Sequence, residues 1–181
     1  AARLAVDSFG RLDGAFVSVG GPPKGSVLGT DDATWSAAFE SVFLAALRVA
    51  RSVVGAASGP VSLAFVLSTS AREVLADMAP SNGLRPGLAM LVRQLADEIG
   101  PSGSRAVGLM PGTIHTDRID WLSRQSADPD AALRAMGASA ALRRVGRPEE
   151  FGRVAAFVLG EAGSYLTGCT IPVDGGRLRG L

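Results

Sequence analysis

The chain has 181 residues, of which 47% are hydrophobic, and this is enough apolar material to bury the core of one domain without a disulfide or a metal. Its 18 basic and 17 acidic residues are intermixed, which excludes a basic stripe for nucleic acid, and a single cysteine, Cys169, excludes an internal disulfide framework. No apolar run is both long enough and free enough of charge to span a bilayer. We therefore expect one cytoplasmic domain over residues 1–181 with a small-molecule substrate, no metal site, and no contact with nucleic acid or membrane.

Segments of strand length alternate along the chain with longer segments of helical period. The opening AARLAVDSFG predicts the end of a helix that stops at Gly10. Strands are predicted over residues 14–19, 61–68, 104–110 and 169–173, and helices near 32–57, 82–99 and 148–160, with two short helices within 116–138. Asp31 and Asp32 open the first of these helices, and Pro148-Glu149-Glu150 opens the third. This alternation predicts a parallel sheet covered by helices.

Six segments carry motifs: FGRLDGAFVSVGGPP (9–23), LAFVLSTS (63–70), LAMLVRQLADEIG (88–100), VGLMPGTIHTDR (107–118), LRRVGRPEEFGRVAAFVL (142–159) and SYLTGCTIPVDGG (164–176). In this order and spacing they resemble the short-chain dehydrogenase/reductase family over essentially the whole chain. The resemblance implies a Rossmann-type, doubly wound parallel sheet with helices on both faces, of the α/β class. It also implies an oxidoreductase that uses NAD or NADP on a carbonyl or alcohol.

The four predicted strands would be the fourth to seventh of that family's sheet. The glycine-rich loop that holds the pyrophosphate in the family does not occur in the sequence, since GGPPKGSVLG (20–29) follows a later strand and matches the loop over the adenosine. The strand at 14–19 has no charge to protect an exposed edge. We therefore expect an N-terminal βαβ portion to be lacking from these residues; the alternative is that association covers the edge.

The family's Tyr-x-x-x-Lys helix aligns with PSNGLRPG (80–87), which places Ser81 at the tyrosine and Arg85 at the lysine. A serine hydroxyl is a far weaker acid than a phenol and is shorter, so Ser81 is not expected to inherit the proton transfer. Arg85 can still bind ribose hydroxyls, or it is a solvated or ion-paired helix arginine. Ser68 matches the substrate-orienting serine, with Ser70 as the alternative, and the family's helix asparagine falls at Val42.

The resemblance also assigns cofactor contacts. Gly20 is kept from the turn after the first predicted strand, and Pro111, Gly112 and Thr116 match the segment that contacts the nicotinamide. In the same loop, His115 is a candidate for a replacement proton donor, or is merely solvated. Glu73, Asp77 and Asp117 are further candidates.

Two functions therefore remain open. One is an NAD(P)-dependent oxidoreductase with atypical or impaired proton transfer, and the other is a catalytically silent dinucleotide-binding sensor or scaffold subunit. The resemblance implies a homo-oligomer, a dimer or tetramer, in which the helices at 32–57 and 82–99 pair across a twofold axis.

Overall fold

A computed structural model describes residues 1–180 and shows one parallel sheet of four strands. The strands stand side by side in chain order as β1 (Gly14–Val17), β2 (Ser62–Val66), β3 (Arg105–Pro111) and β4 (Thr170–Val173). All four predicted strands are confirmed. Three are one to three residues shorter than predicted, whereas β3 begins one residue later and extends to Pro111.

Within residues 1–180, seven α-helices connect or flank the strands. They are α1 (Ala2–Phe9), α2 (Asp32–Ala38), α3 (Ala45–Ala56), α4 (Ala79–Ile99), α5 (Asp117–Ser123), α6 (Pro129–Gly137) and α7 (Pro148–Leu159). A π-helical turn over Phe39–Leu44 joins α2 to α3, so the helix predicted at 32–57 is continuous but locally widened.

Local sequence signals account for several helix ends. Gly10 has a φ of 72° and ends α1 in the left-handed conformation, as predicted. The Asp31 side chain accepts the N–H of Thr34 and caps α2. At the end of α4 the left-handed glycine is Gly103, with a φ of 81°, because Gly100 stays right-handed and begins a short 3-10 turn.

Alternate residues of the strands bury into two separate cores. Leu63 and Phe65 of β2 pack with residues of α3 and α4, including Leu88 and Val92. The intervening Ala64 packs on the other face, with Val107 and Leu109 of β3 and Ala155 and Val158 of α7. Helices therefore cover both faces, which confirms the doubly wound α/β class.

Arg105, the first residue of β3, connects the amino-terminal end of the sheet to the last turn of α7. Its guanidinium donates to the carbonyl oxygens of Val158 and Gly163 at 2.7 Å each and to Ser62 Oγ at 2.7 Å. It also reaches the carbonyls of Leu159, Gly160 and Leu166. The last carbonyls of a helix have no partner within the helix, and Arg105 supplies partners for them.

The strand β1 lies at an edge of the sheet, because among residues 1–180 it pairs only with β2. Its Phe16 side chain is 44% exposed, which is unusual for an aromatic residue in a parallel strand. No described helix combines the length and hydropathy needed to cross a membrane.

Candidate functional site

The carboxyl ends of the parallel strands meet at one edge of the sheet, where open α/β sheets bind their ligands. Ser68 and Ser70 follow β2 at this edge, and Gly112 follows β3. The first turns of α4 lie beside the end of β2, which brings Ser81 and Arg85 to the same place. The edge therefore gathers most of the residues predicted from the sequence.

Two buried serines form the centre of the site. The Oγ atoms of Ser70 and Ser81 lie 2.8 Å apart, and the two residues are 4% and 3% exposed. Ser68 Oγ instead accepts the N–H of Ser70 at 3.1 Å and caps the short 3-10 turn Thr69–Ala71. Ser70, the alternative to Ser68, is thus the serine that directly contacts the residue at the tyrosine position.

Arg85 lies inside the protein next to this pair. It is 5% exposed, and its Nη1 donates to the carbonyl oxygen of Val66 at 2.6 Å. Its Nε is fully enclosed and has no hydrogen-bond partner among residues 1–180. Burial lowers the pKa of the guanidinium, and no acidic group acts in the opposite direction. The interpretation of Arg85 as a solvated or ion-paired helix arginine is therefore wrong among residues 1–180.

The position of the family's helix asparagine is apolar. Val42 lies in the π-helical turn, is fully buried, and packs with Ala38 and Leu84. The ring of Trp35 covers Gly83 of α4, where a Cβ would come within 2.9 Å of the ring. A hydrophobic contact between α4 and the helical segment that contains Trp35 and Val42 thus lies where the resemblance implies a polar asparagine.

Asn82 clamps the loop between β2 and α4. Its Nδ2 donates to the carbonyl of Leu75 at 2.8 Å, and its Oδ1 accepts the N–H of Leu75 at 3.1 Å. The same loop pairs with the loop after β1, since the N–H of Gly25 donates to the carbonyl of Asp77 and the N–H of Ala79 donates to the carbonyl of Gly25. No sequence motif marks Asn82, because its partner is set by the path of the loop.

All three additional acidic candidates have structural roles. Glu73 Oε1 accepts the backbone N–H of Arg179 near the end of the chain at 2.9 Å. Asp77 is exposed and has a φ of 55°, a left-handed conformation that its pairing with Gly25 holds in place. Asp117 opens α5, where its charge favours the helix dipole.

The loop after β3 packs against β4. The N–H of Gly112 donates to the carbonyl of Val173 at 3.1 Å, and a Cβ at residue 112 would come within 2.8 Å of Asp174 Cα. Gly112 is therefore required by packing, whatever else it contacts.

Thr116 and Gly20 are two other predicted cofactor contacts. Thr116 precedes α5, and its side chain does not cap the helix. Gly20, in the loop after β1, lies exposed with open space around it.

His115 belongs to a neighbouring cluster. Its Nε2 lies 3.6 Å from Oδ1 of Asp120, whose Oδ2 pairs with Arg124 Nη2 at 2.6 Å. The backbone N–H of His115 donates to the carbonyl of Gly146. Among residues 1–180 no hydrogen bond joins His115 to Ser81 or Arg85, so the structure does not bring the histidine to the serine pair.

An open parallel sheet with helices on both faces and polar side chains at its carboxyl edge defines a Rossmann-type α/β protein. The family model described as enoyl-(acyl carrier protein) reductase matches residues 1–177. The chain belongs to the short-chain dehydrogenase/reductase family, a family of NAD(P)-dependent oxidoreductases, as its motifs imply.

Curated relatives agree with this assignment. The chain is 30% identical to the short-chain reductase protein NovJ of Streptomyces niveus over 98% of this chain and 68% of that protein. It is 33% identical to the protein FixR of Bradyrhizobium diazoefficiens over 83% of this chain. The chain spans about half the length of FixR, 51%.

Solved structures show the same fold. L-sorbose reductase from Gluconobacter frateurii, complexed with NADPH and L-sorbose, has a TM-score of 0.89 at 26% identity over 98% of this chain and 70% of that one. A short-chain oxidoreductase from Pseudomonas aeruginosa PAO1, bound to NADPH and described as containing an atypical catalytic center, has a TM-score of 0.87 at 23% identity. That match covers 99% of this chain and 71% of the other.

Proposed function

We propose that this protein is an NAD(P)-dependent oxidoreductase for a carbonyl or alcohol substrate, with Arg85 in place of the family's lysine and with no tyrosine acid. The observation that carries the proposal is the grouping of Ser70, Ser81 and Arg85 at the carboxyl end of β2. The NADPH complex of L-sorbose reductase supports the cofactor, and the Pseudomonas protein supports the combination of NADPH with an atypical centre.

The residues present fit the nicotinamide end of the cofactor. Gly20 leaves open space at the edge of the sheet, and the Thr116 hydroxyl is not used as a helix cap. When bound, the nicotinamide supplies or accepts a hydride at the substrate carbon. The sequence contains no glycine-rich loop for the pyrophosphate, so we propose that this part of the cofactor is held by an N-terminal portion outside residues 1–181.

The serine pair can orient a substrate oxygen but is a poor source of protons. Ser81 donates to or accepts from Ser70, and a serine hydroxyl loses its proton far less readily than a phenol. Val42 stands in place of the polar relay residue, and its buried hydrocarbon side chain cannot carry a proton. Loss of a general acid costs about 10² to 10⁴ in rate, so we propose slow turnover in which water supplies the proton.

The second candidate is a catalytically silent protein that binds a dinucleotide or serves as a scaffold subunit. The apolar packing of Val42 and the hydrogen bond between Ser70 and Ser81 favour it, because both replace catalytic groups by structural contacts.

We also propose a homo-oligomer formed through α3 and α4, and a soluble, cytoplasmic protein.

Titration with NADH and NADPH tests the proposal, using the protein at its natural length and calorimetry or fluorescence. We expect micromolar binding of one of the two. Single-turnover oxidation of that bound nucleotide, across a panel of carbonyl compounds, should then proceed slowly and change less than about threefold in Ser81→Ala.

Binding without any turnover would support the silent sensor. Failure of a folded sample to bind either nucleotide would overturn the oxidoreductase and leave the scaffold. A loss of 10² or more in Ser81→Ala would show that Ser81 is the acid after all.

A further inference from the structure

Arg85 is a buried cation that no residue of the described chain neutralises. It is 5% exposed, and it takes part in no salt bridge among residues 1–180. Charged side chains are almost never this buried unless they are paired, because removing an ion from water costs several kcal/mol in a real protein. The position therefore requires an explanation that a surface arginine would not need.

The acidic groups in the loops after β2 and β4 are already engaged or exposed. Glu73 accepts from the backbone of Arg179, and Asp77 lies exposed in its left-handed turn. The Asp174 carboxylate accepts the N–H groups of Gly176 and Leu178. Residues 1–180 therefore offer no carboxylate for the guanidinium.

The unused atoms of Arg85 form one edge of its guanidinium. Nη1 is bonded to the carbonyl of Val66, whereas Nε has no partner and Nη2 has no hydrogen bond to residues 1–180. Nε–H and the adjacent N–H of Nη2 point the same way, and this side of the group binds a carboxylate through two parallel hydrogen bonds. Nε lacks a partner, and a carboxylate bound along this edge would supply one.

The distance along α4 relates this edge to the serine pair. Arg85 follows Ser81 by four residues, which is about one helical turn and about 6 Å along the axis. A small molecule can span this distance with a carboxylate on Arg85 and a carbonyl oxygen on the hydroxyls of Ser70 and Ser81. Both ends of such a molecule would find donors, and the buried charge would find its counter-ion.

We propose that Arg85 binds the carboxylate of the substrate, and that the substrate is a short oxo acid or the corresponding hydroxy acid. The oxo acid or hydroxy acid as a reacting substrate rests on the proposed oxidoreductase function, whereas the binding of a carboxylate by Arg85 does not. It differs from a role in holding the cofactor's ribose, which is neutral and leaves the buried charge uncompensated.

Oxamate is a suitable probe, because it pairs a carboxylate with an unreactive carbonyl, and ethyl oxamate is its uncharged match. Both are titrated into the full-length protein, alone and with saturating NADH or NADPH, by calorimetry and by ¹H–¹⁵N spectra of the arginine side chains. We expect oxamate to bind at least tenfold more tightly than the ester and to shift the Nε–H signal of Arg85 downfield. This signal needs no variant and therefore does not depend on a substituted protein folding.

Arg85→Met keeps the long side chain but removes the charge, and we expect it to abolish the tenfold preference for oxamate. Arg85→Lys keeps the charge without the fork and should retain part of the preference. Arg93→Met is the matched control, since Arg93 lies exposed on the same helix and pairs with Asp97. It should bind oxamate as the wild type does.

The outcomes separate the two proposals. Equal affinity for oxamate and its ester, an unmoved Arg85 signal, or an unchanged preference in Arg85→Met would each overturn the carboxylate site. If Arg85→Met weakens nucleotide binding while oxamate binding is unchanged, the arginine belongs to the cofactor. If oxamate binds through Arg85 but neither nucleotide binds, the carboxylate site stands and the oxidoreductase fails.

Discussion

Among single residues, the centre of the site is a hydrogen bond between the hydroxyls of Ser70 and Ser81. Ser81 occupies the tyrosine position and bonds with Ser70, so its hydroxyl is part of a buried pair rather than a free acid. The sequence could predict the loss of the phenol from the identity of residue 81. It could not predict that Ser70 is the partner, because the 3-10 turn after β2 rotates Ser70 inward and leaves Ser68 as its cap.

The fold favours the ionised form of the Glu150 side chain. Its carboxylate receives two hydrogen bonds from Arg144, at 2.7 and 2.8 Å, and one from the backbone N–H of Arg147 at 2.8 Å. The bond with Arg144, followed by that with Arg147, lowers the pKa of Glu150 from 4.5 to about 2. Because the folded pKa lies below the unfolded one, the stabilisation is complete above about pH 4.5 and is lost as the pH falls towards 2.

We expect Glu150→Gln to lower the free energy of unfolding at pH 7, and the difference from the wild type to shrink between pH 4.5 and 2. Urea unfolding across this pH range measures the effect. Glu149→Gln is the control, since Glu149 is exposed and is part of no salt bridge in the described chain. A difference that stays constant with pH would contradict the assignment.

At the scale of elements, α4 departs most from its local sequence. The pattern predicts a start at Asn82, yet the helix begins at Ala79 and continues through Pro86. Burial of Leu84, Arg85 and Leu88 on the sheet side holds the helix together across the proline. Tertiary packing thus overrides a residue that lacks the N–H for the bond to the Asn82 carbonyl.

We expect Pro86→Ala to stabilise the fold by about 1–2 kcal/mol. A proline inside a helix costs about 3 kcal/mol, and part of the gain is offset because alanine makes the unfolded chain more flexible. Pro86 is exposed, so the change loses no packing. Chemical unfolding at neutral pH measures it.

Pro80→Ala provides the contrast on the same helix. Pro80 lies in the first turn, where its N–H would have no partner, and is fully buried. We expect this change to destabilise by about 1–2 kcal/mol through lost packing and the more flexible unfolded chain. If Pro86→Ala and Pro80→Ala change the free energy of unfolding in the same direction, this explanation of α4 is wrong.

At the scale of the whole molecule, the order of strands and the coverage of both faces follow from the alternation of short apolar runs and helical periods. These features repeat over many residues, so the sequence predicts them well. The buried Arg85, the clamp by Asn82 and the ties made by Arg105 do not repeat. Each joins residues far apart in the chain, from 7 to 61 positions for these contacts, and such pairings become visible only in the folded structure.

The face formed by α3 and α4 is where association is expected. A groove of about 610 Å³ runs between them and is lined mainly by apolar residues that include Leu44, Leu47, Leu91 and Leu95. A second copy of the chain would cover these side chains by placing its own α3 and α4 across a twofold axis.

Leu91→Glu puts a charge into that groove, and burying the carboxylate in an interface would carry a desolvation cost. We expect the substitution to reduce the mass measured by light scattering to that of the monomer. Leu28→Glu makes the same change at a fully exposed residue in the loop after β1, outside the groove, and should leave the assembly intact. If Leu91→Glu folds and keeps the wild-type mass, the interface does not lie on α3 and α4.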